Sequence, residues 1–183
     1  KGARAPVTVI PHAIDQALYS PGDATALRER LGLRGFVVGY AGRLVAEKGV
    51  ADLLEAVIGL AGQAQRTAPR EPGDDGLGQP DLSLLIVGDG PEREALRARA
   101  EAALPGRVVF TGAVPHERVA EYYRCMDVLV LPSRTGQHWR EQFGRTIIEA
   151  LACGVPVVGS DSGAVPATLS LTAGLSYPEG KVS

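Results

Sequence analysis

Residues 140–156 have the sequence REQFGRTIIEALACGVP, which predicts a loop, then a helix, then a sharp stop. Gly144 suits the start of the helix, and Gly154 followed by Pro156 suits its end. The helix interior is apolar except for Glu149. A helix that is apolar nearly all round is buried, and a buried carboxylate needs a charged or hydrogen-bonding partner. The segment therefore predicts a buried helix whose one carboxylate meets either a polar protein group or a ligand.

A second carboxylate, Glu141, stands in the loop just before this helix. The first backbone N–H groups of a helix have no partner within the helix, so this place suits a phosphate. An anion site flanked by Glu141 and Glu149 fits a phosphorylated sugar better than a bare anion. The alternative is that Glu149 faces solvent and that Glu141 is an ordinary charge near a helix start.

The composition predicts a soluble globular protein. The chain has 183 residues, of which 45% are apolar and 22% charged, and its net charge is −2, which does not indicate a nucleic-acid-binding protein. No apolar run approaches the roughly 20 residues of a membrane span, and the first residues are not a signal peptide. Cys125 and Cys153 are predicted to be reduced and buried, which favours the cytoplasm. The three histidines are scattered and form no metal cluster, and the sequence has no Asp-x-Asp pair that could hold a divalent ion on a diphosphate.

Strand, turn and helix alternate along most of the chain, which predicts a doubly wound parallel α/β sheet of the Rossmann-like class. A loop rich in proline and glycine is predicted at 66–81. The predicted strands are 7–12, 36–42, 82–88, 108–112, 127–132 and 155–160, and the predicted helices are 24–31, 51–63, 92–103, 116–124 and 147–153.

The glycines and charged residues follow the strands, at the carboxyl edge where such sheets bind ligands. Arg43 and Lys48 are two cations in the loop after the second predicted strand, either near an anionic ligand or as ordinary surface charges. Trp139, the single tryptophan, is either a core residue or a lid over a ring-shaped ligand. The loops expected to converge on one crevice are 39–49, 88–91, 112–116 and 133–146.

The dinucleotide-binding fingerprint is incomplete in this sequence. Gly88 and Gly90 are not followed by a third glycine, because position 93 is Arg93. The spacing also fails at Gly39 and Gly42. These failures argue against a nicotinamide-dependent oxidoreductase on the same type of sheet.

Together, the motifs resemble those of the group 1 retaining glycosyltransferases, whose members have two Rossmann-like domains of the GT-B type around a cleft. The motifs are VGYAGR (38–43) with EKG (47–49), IVGDGP (86–91), VFTG (109–112), LPS (131–133), EQFG (141–144), EA (149–150) and GVPVV (154–158). The resemblance covers nearly the whole chain. It implies that residues 24–183 are the donor-binding domain, truncated at its C-terminus, and that residues 1–23 are an interdomain segment and loop.

Two positions depart from the family's pattern. His12 stands where the family usually has asparagine, and Ala167 stands where it has glutamate after a second glycine and a proline. The second departure removes a carboxylate from the loop that follows Gly163. The resemblance also implies that an N-terminal acceptor domain is missing from this chain.

The resemblance implies a catalytic role for Arg43, Lys48 and Glu141. The two cations would hold the donor diphosphate in place of a metal, and Glu141 would accept hydrogen bonds from the donor sugar. The donor site would also include Gly42, and the loops at Gly88 and Val114 would border the base. The backbone of Phe143, Gly144, Arg145 and Thr146 would meet the sugar and diphosphate, and Glu149 would hold the ribose diol.

The implied reaction transfers a sugar from a nucleoside-diphosphate sugar with retention of configuration and without a metal or cofactor. The acceptor would be a glycan or a lipid-linked molecule, and the full-length protein would be cytoplasmic or peripheral to the membrane. This chain alone is expected to bind donor without transferring sugar. The alternative function is a non-transferring or epimerase-like nucleotide-sugar-binding protein on the same fold.

Overall fold

The structure is a computed structural model that describes residues 8, 12–67, 82–172 and 174–181. The predicted strand at 7–12, except for residues 8 and 12, lies outside these residues. So does the predicted loop at 66–81, except for residues 66 and 67.

One parallel sheet organises the described residues, and its strand order is β3-β2-β1-β4-β5-β6. Each neighbouring pair of strands is parallel. This is the doubly wound order, so the predicted fold class is confirmed. The strands are β1 Phe36–Ala41, β2 Leu82–Val87, β3 Val108–Gly112, β4 Val128–Leu131, β5 Val157–Ser160 and β6 Leu175–Tyr177.

The first helix precedes β1, each later helix connects two successive strands, and together the helices cover both faces of the sheet. They are α1 Thr25–Leu31, α2 Val50–Thr67, α3 Arg93–Ala103, α4 Val119–Tyr123, α5 Arg145–Ala152 and α6 Val165–Leu169. The helix predicted at 116–124 is a 3-10 turn, His116–Arg118, followed by α4. The prediction missed α6 and β6. Both are short, and the exposed Leu175 of β6 gives no burial pattern for a strand.

The core lies on both sides of the sheet because successive side chains of a strand point to opposite faces. Val37 of β1 packs into one cluster with Leu129 and Ile147, on the side of α4 and α5. Val38 packs into the other cluster with Leu54, on the side of α2 and α3. Since β1 is buried on both faces, it is the central strand that fixes the loops at its carboxyl end.

From β1 the chain first adds β2 and β3 on one side of the sheet and then crosses back to add β4, β5 and β6 on the other side, so β1 lies between β2 and β4. The loops after β1 and β2 meet closely at this point. A side chain at Gly88 would place its Cβ 1.9 Å from the carbonyl oxygen of Gly42, and Gly88 has φ +137°. Only glycine permits this approach, so the backbone itself forms one wall of the crevice at the carboxyl edge.

Candidate functional site

Two cavities open at the carboxyl edge of the sheet. The first, here called the strand-end cavity, has a volume of about 370 Å³. The second, here called the loop cavity, has a volume of about 790 Å³ and is bounded mainly by residues 135–142. No lining residue is shared between them. The strand-end cavity is lined by Ala41, Gly42, Arg43, Val87, Gly88, Asp89, Ala113, Val114, His116, Val119, Tyr123, Thr146 and Glu149.

Six predicted site residues border the strand-end cavity together. They come from four separate parts of the chain: the loops after β1, β2 and β3, and the first turns of α5. The six are Gly42, Arg43, Gly88, Val114, Thr146 and Glu149. The loops after β1, β2 and β3 therefore converge on one crevice, as predicted, whereas the predicted loop 133–146 contributes only Thr146 to it.

Glu149 is buried, with 6% of its surface exposed. The hydroxyl of Tyr123 donates a hydrogen bond to Oε2 at 2.8 Å, and Nη2 of Arg145 donates one to Oε1 at 3.1 Å. The alternative that Glu149 faces solvent is wrong. An ionised carboxylate has about four acceptor positions, so Glu149 can also accept hydrogen bonds from a ligand in the cavity.

The sequence predicted neither Tyr123 as a site residue nor its contact with Glu149. Burial, with the nearby Glu149 carboxylate, raises the pKa of Tyr123 well above its usual value. The phenol therefore stays protonated and remains a hydrogen-bond donor. No local sequence signal links the two residues, because they lie on different helices, α4 and α5.

The N-terminus of α5 is open toward the same cavity. No side chain caps it, and its N-cap residue, Gly144, has a left-handed conformation with φ 72°. The Oγ1 atom of Thr146 is buried without a hydrogen-bond partner in the described part of the chain. Uncapped N–H groups and the positive end of the helix dipole attract an anion, so this end of α5 suits a phosphate.

Arg43 is exposed at the edge of the strand-end cavity. Its carbonyl oxygen accepts a hydrogen bond of 2.8 Å from the Tyr40 hydroxyl, which holds the backbone in place. Its guanidinium group forms no hydrogen bond or ion pair with the described residues. Arg43 is therefore a cation beside the cavity that is available to an anionic ligand.

Lys48 and Glu141 do not border the strand-end cavity but form an ion pair. The Lys48 ammonium donates to Oε2 of Glu141 at 2.6 Å, and the Ser133 hydroxyl donates to the same oxygen at 3.0 Å. Side-chain exposure is only 22% for Lys48 and 11% for Glu141. Oε1 of Glu141 accepts no hydrogen bond from the described residues. The sequence predicted both residues but neither this ion pair nor the role of Ser133.

Trp139 is a partly exposed residue of the loop cavity and not a core residue. The Lys48 ammonium lies 4.9 Å from the centre of its ring, which is cation–π distance. The loop cavity is lined by Thr135, Gly136, Gln137, His138, Trp139, Arg140, Glu141, Gln142, Gly163 and Ala164.

Three other predicted residues line neither cavity and lie in the chain between Gln142 of the loop cavity and Thr146 of the strand-end cavity. The Phe143 ring is 4.7 Å from that of His12, and its carbonyl oxygen accepts a hydrogen bond from Thr168 at 2.9 Å. Gly144 caps α5 and Arg145 contacts Glu149. The Phe143 carbonyl is thus held by α6, the helix that contains Ala167.

Within the described ranges, no group of three histidine, cysteine, aspartate or glutamate side chains could hold a metal ion. Among the same residues, no helix combines the length and apolar composition that a membrane crossing requires. Cys125 and Cys153 are both free and buried, as the sequence predicted. Burial raises the pKa of the Cys125 thiol to about 11.

The chain is similar to known proteins in sequence and in structure. The profile of the family described as "Glycosyl transferases group 1" matches residues 9–181. The 2-deoxystreptamine N-acetyl-D-glucosaminyltransferase of Streptomyces fradiae is 39% identical over 149 residues, which cover 80% of this chain and 31% of that protein. The GDP-mannose-dependent alpha-(1-6)-phosphatidylinositol monomannoside mannosyltransferase of Mycolicibacterium smegmatis is 34% identical over 174 residues, with coverages of 92% and 42%.

Among solved structures, Anabaena Alr3699/HepE in complex with UDP and glucose superposes with a TM-score of 0.73 and 26% identity. The match covers 96% of this chain and 44% of that one. The present chain therefore spans less than half the length of each of these relatives.

Proposed function

The chain belongs to the group 1 glycosyl transferases, and we propose that it is the donor-binding domain of an enzyme that transfers a sugar from a nucleoside-diphosphate sugar. One observation carries the proposal. The strand-end cavity brings a buried carboxylate, Glu149, together with the uncapped N-terminus of α5 and the guanidinium of Arg43. The carboxylate suits a ribose diol and the helix N-terminus suits a diphosphate. The guanidinium suits the negative charge of that diphosphate.

In the proposed complex, the base lies between Gly88 and Val114, where the backbone forms the cavity wall. The ribose hydroxyls donate to Glu149, and the diphosphate lies at the N–H groups of Thr146 and its neighbours. The sugar then extends toward Glu141, whose Oε1 accepts hydrogen bonds from its hydroxyls. The bound UDP and glucose of the Anabaena protein support a nucleotide-sugar ligand for this fold.

We propose that the reaction retains the anomeric configuration and needs no metal. The bond between the anomeric carbon and the diphosphate breaks, and the acceptor oxygen bonds to the same face of that carbon. The acceptor's proton passes to the leaving phosphate oxygen. Arg43, Lys48 and the N-terminus of α5 stabilise the charge that develops on the diphosphate, which is the largest contribution that such a site makes.

Lys48 has a double role in this proposal. In the absence of donor it holds Glu141 through Oε2. With donor bound, its ammonium also reaches the diphosphate, because an ammonium has three donors and can serve both partners. Ser133 then keeps the Glu141 carboxylate oriented while Lys48 is shared.

The acceptor site, in this proposal, is completed by a second domain. This chain spans about a third of the Streptomyces relative, so an enzyme of that length has ample sequence for one. Residues 24–183 are the proposed donor domain, and residues 1–23 are the proposed interdomain segment. We further propose a cytoplasmic enzyme, cytosolic or peripheral to the membrane, whose acceptor is a glycan or a lipid-linked molecule.

The test is a panel of uridine, guanosine, adenosine and thymidine diphosphates, scored by thermal shift on this chain. At least one is expected to stabilise it, since a ligand that binds only the folded state raises the melting temperature. Glu149→Gln is the matched variant and should reduce the stabilisation. If no diphosphate stabilises the chain at millimolar concentration, the proposal is wrong.

A second assay concerns transfer. Labelled nucleotide sugar is incubated with this chain and with its full-length parent, each with candidate acceptors. The expected result is a glycoside product from the parent and none from the chain alone. A parent that only epimerises the donor sugar, or that leaves it unchanged, would contradict the proposed transferase activity.

A further inference from the structure

The segment before α1 lies along α5. At one end, the ring centre of His12 is 4.7 Å from that of Phe143, two residues before α5 begins. At the other end, a Cβ added to Gly154 would lie 3.6 Å from the side chain of Pro21, and Gly154 comes two residues after α5 ends. The segment 12–21 therefore runs past both ends of the helix whose N-terminus opens toward the strand-end cavity.

Arg124, which directly follows α4, fixes this segment around Tyr19. Its Nε donates to the carbonyl of Ser20 at 2.7 Å, and its Nη2 donates to the carbonyl of Leu18 at 3.1 Å. These two carbonyls flank Tyr19 on either side. The backbone is thus held at Tyr19, and the direction of its side chain is set.

Tyr19 contacts the strand-end cavity from behind. It is not one of the lining residues, and only 2% of its surface is exposed. Its ring centre is 6.2 Å from that of Tyr123, and its hydroxyl oxygen lies 3.2 Å from Nδ1 of His116. Both of these neighbours line the cavity. A buried hydroxyl needs a hydrogen-bond partner, and His116 is that partner.

The placement of His116 depends on this contact. His116 is exposed at the cavity, and among the described residues its ring has no other hydrogen-bond partner. Burial, with the nearby Glu149 carboxylate, raises the pKa of Tyr19 to about 12, so its hydroxyl stays protonated at neutral pH. The hydroxyl therefore remains a donor to a ring nitrogen of His116. Without this hydrogen bond, an exposed imidazole has several rotamers open to it.

From these contacts, and resting on the proposed function, we propose that Tyr19 is a positioning residue of the donor site. From the proposed interdomain segment, it holds the imidazole of His116 against the strand-end cavity. A bound nucleotide then meets a wall residue that is already ordered, which lowers the cost of binding. Because coupling between two sites is reciprocal, a bound nucleotide also stabilises the segment 12–21 in its place along α5.

The test is calorimetric titration of this chain with uridine, guanosine, adenosine and thymidine diphosphates as probes. Tyr19→Phe removes only the hydroxyl, and affinity for the tightest-binding probe is expected to fall by about two- to tenfold. Tyr177→Phe is the matched control. Burial raises the pKa of Tyr177 to about 12 as well, but this residue lies outside both cavities, so its variant should bind as the wild type does.

A double-mutant cycle shows whether Tyr19 acts through His116. His116→Ala should weaken binding at least as much as Tyr19→Phe does. The double variant should bind no more weakly than His116→Ala alone, since the hydroxyl no longer has its partner. Urea unfolding gives the stability of each variant, because a purely structural role of Tyr19 lowers stability but leaves the affinity of the folded chain unchanged. His116 is exposed, so His116→Ala tests the same contact without disturbing the core.

Three outcomes overturn the inference. They are unchanged affinity in Tyr19→Phe or in His116→Ala, equal losses in Tyr19→Phe and Tyr177→Phe, and a further loss when Tyr19→Phe is added to His116→Ala. Each of them leaves the proposed donor site standing, because the wild-type chain still binds the probe. If the wild-type chain binds none of the four diphosphates, the proposed function fails and the inference fails with it.

Discussion

The ammonium of Lys48 lies 2.6 Å from Oε2 of Glu141, and this ion pair joins the loop after β1 to the loop after β4. The same oxygen accepts from Ser133, so the carboxylate is held with Oε1 free of the described residues. The two side chains are mostly shielded from water, and Trp139 lies against the cation. In the proposed complex, the donor sugar meets a carboxylate that is already oriented, which lowers the cost of binding.

Lys48→Met is expected to weaken the binding of a nucleoside diphosphate but not of the matching nucleoside. The variant removes a cation from the proposed diphosphate site, and a charged hydrogen bond contributes about 1.5–3 kcal/mol, or roughly ten- to a hundredfold in affinity. Calorimetric titrations of both ligands measure the difference. Equal affinities of the variant and the wild-type chain for the diphosphate would show that Lys48 serves only Glu141.

Glu149→Gln and Glu141→Ala are expected to affect different parts of the donor. Glu149→Gln keeps the shape of the side chain but removes the negative charge of the carboxylate, which in the proposed complex accepts hydrogen bonds from the ribose hydroxyls. Nucleoside affinity is therefore expected to fall by roughly ten- to a hundredfold. Glu141→Ala should leave nucleoside diphosphate affinity nearly unchanged and reduce the extra affinity of the nucleotide sugar. Competition titrations with the three ligands give these values.

A control separates binding from folding in the first variant. Tyr123→Phe removes the phenol that donates to Glu149 while leaving the carboxylate in the cavity. Urea unfolding gives the free energy of unfolding of this variant and of Glu149→Gln, so a loss of nucleoside affinity can be compared with any loss of stability. If Glu149→Gln is folded and binds nucleoside as tightly as the wild type, the carboxylate serves only Tyr123 and Arg145.

The main elements of the fold were predictable from the sequence because each carries a local signal. Buried strands such as β1 and β2 are mostly apolar runs that are each followed by a glycine, and α5 ends at Ala152, two residues before Gly154. The final elements, α6 and β6, carry no such signal. They are stabilised by packing and by pairing with β5, which a local pattern does not encode.

The candidate site also has residues that were predicted from the sequence and contacts that were not. Gly88 and Thr146 were predicted as site residues because the motifs that contain them resemble those of the family, and such motifs are local in the sequence. The contacts of Glu149 with Tyr123, and of Lys48 with Glu141, were not predicted. These pairs join residues that are far apart in the chain, so only the folded arrangement shows them.

Nucleotide binding is expected to be independent of divalent metal. In the proposed complex, Arg43, Lys48 and the N-terminus of α5 supply the positive charge that a metal would otherwise give to the diphosphate. Titration of the best-binding diphosphate with excess EDTA, and then with excess magnesium, should give the same affinity within about twofold, or roughly 0.4 kcal/mol. A loss of most of the affinity in EDTA would contradict the proposal.

Stability is expected to fall above pH 10. Burial raises the pKa of Tyr19 and of Tyr177 to about 12, and it raises the pKa of Tyr40 and Tyr123 further. An unfolded tyrosine has a pKa of about 10, so above that pH the unfolded chain has lost protons that the folded chain retains. The free energy of unfolding then decreases with rising pH and is unaffected by these groups below pH 10.

Urea unfolding at pH 8, 10 and 11 measures this dependence. Tyr123→Phe is the control, because it should be less stable than the wild type at pH 8 but lose less stability between pH 10 and pH 11. A free energy of unfolding that stays constant to pH 11 would show that these phenols are not protected by the fold.

The most direct measurement is a map of backbone amide NMR shifts on titration with the diphosphate that stabilises the chain most. The account predicts the largest shifts around the strand-end cavity, at Gly42, Gly88, Val114 and Thr146. Glu149→Gln should reduce all of them at equal ligand concentration. Largest shifts elsewhere, for example in the apolar groove at Leu60 between α2 and the sheet, or no shifts at all, would contradict the assignment of the donor site.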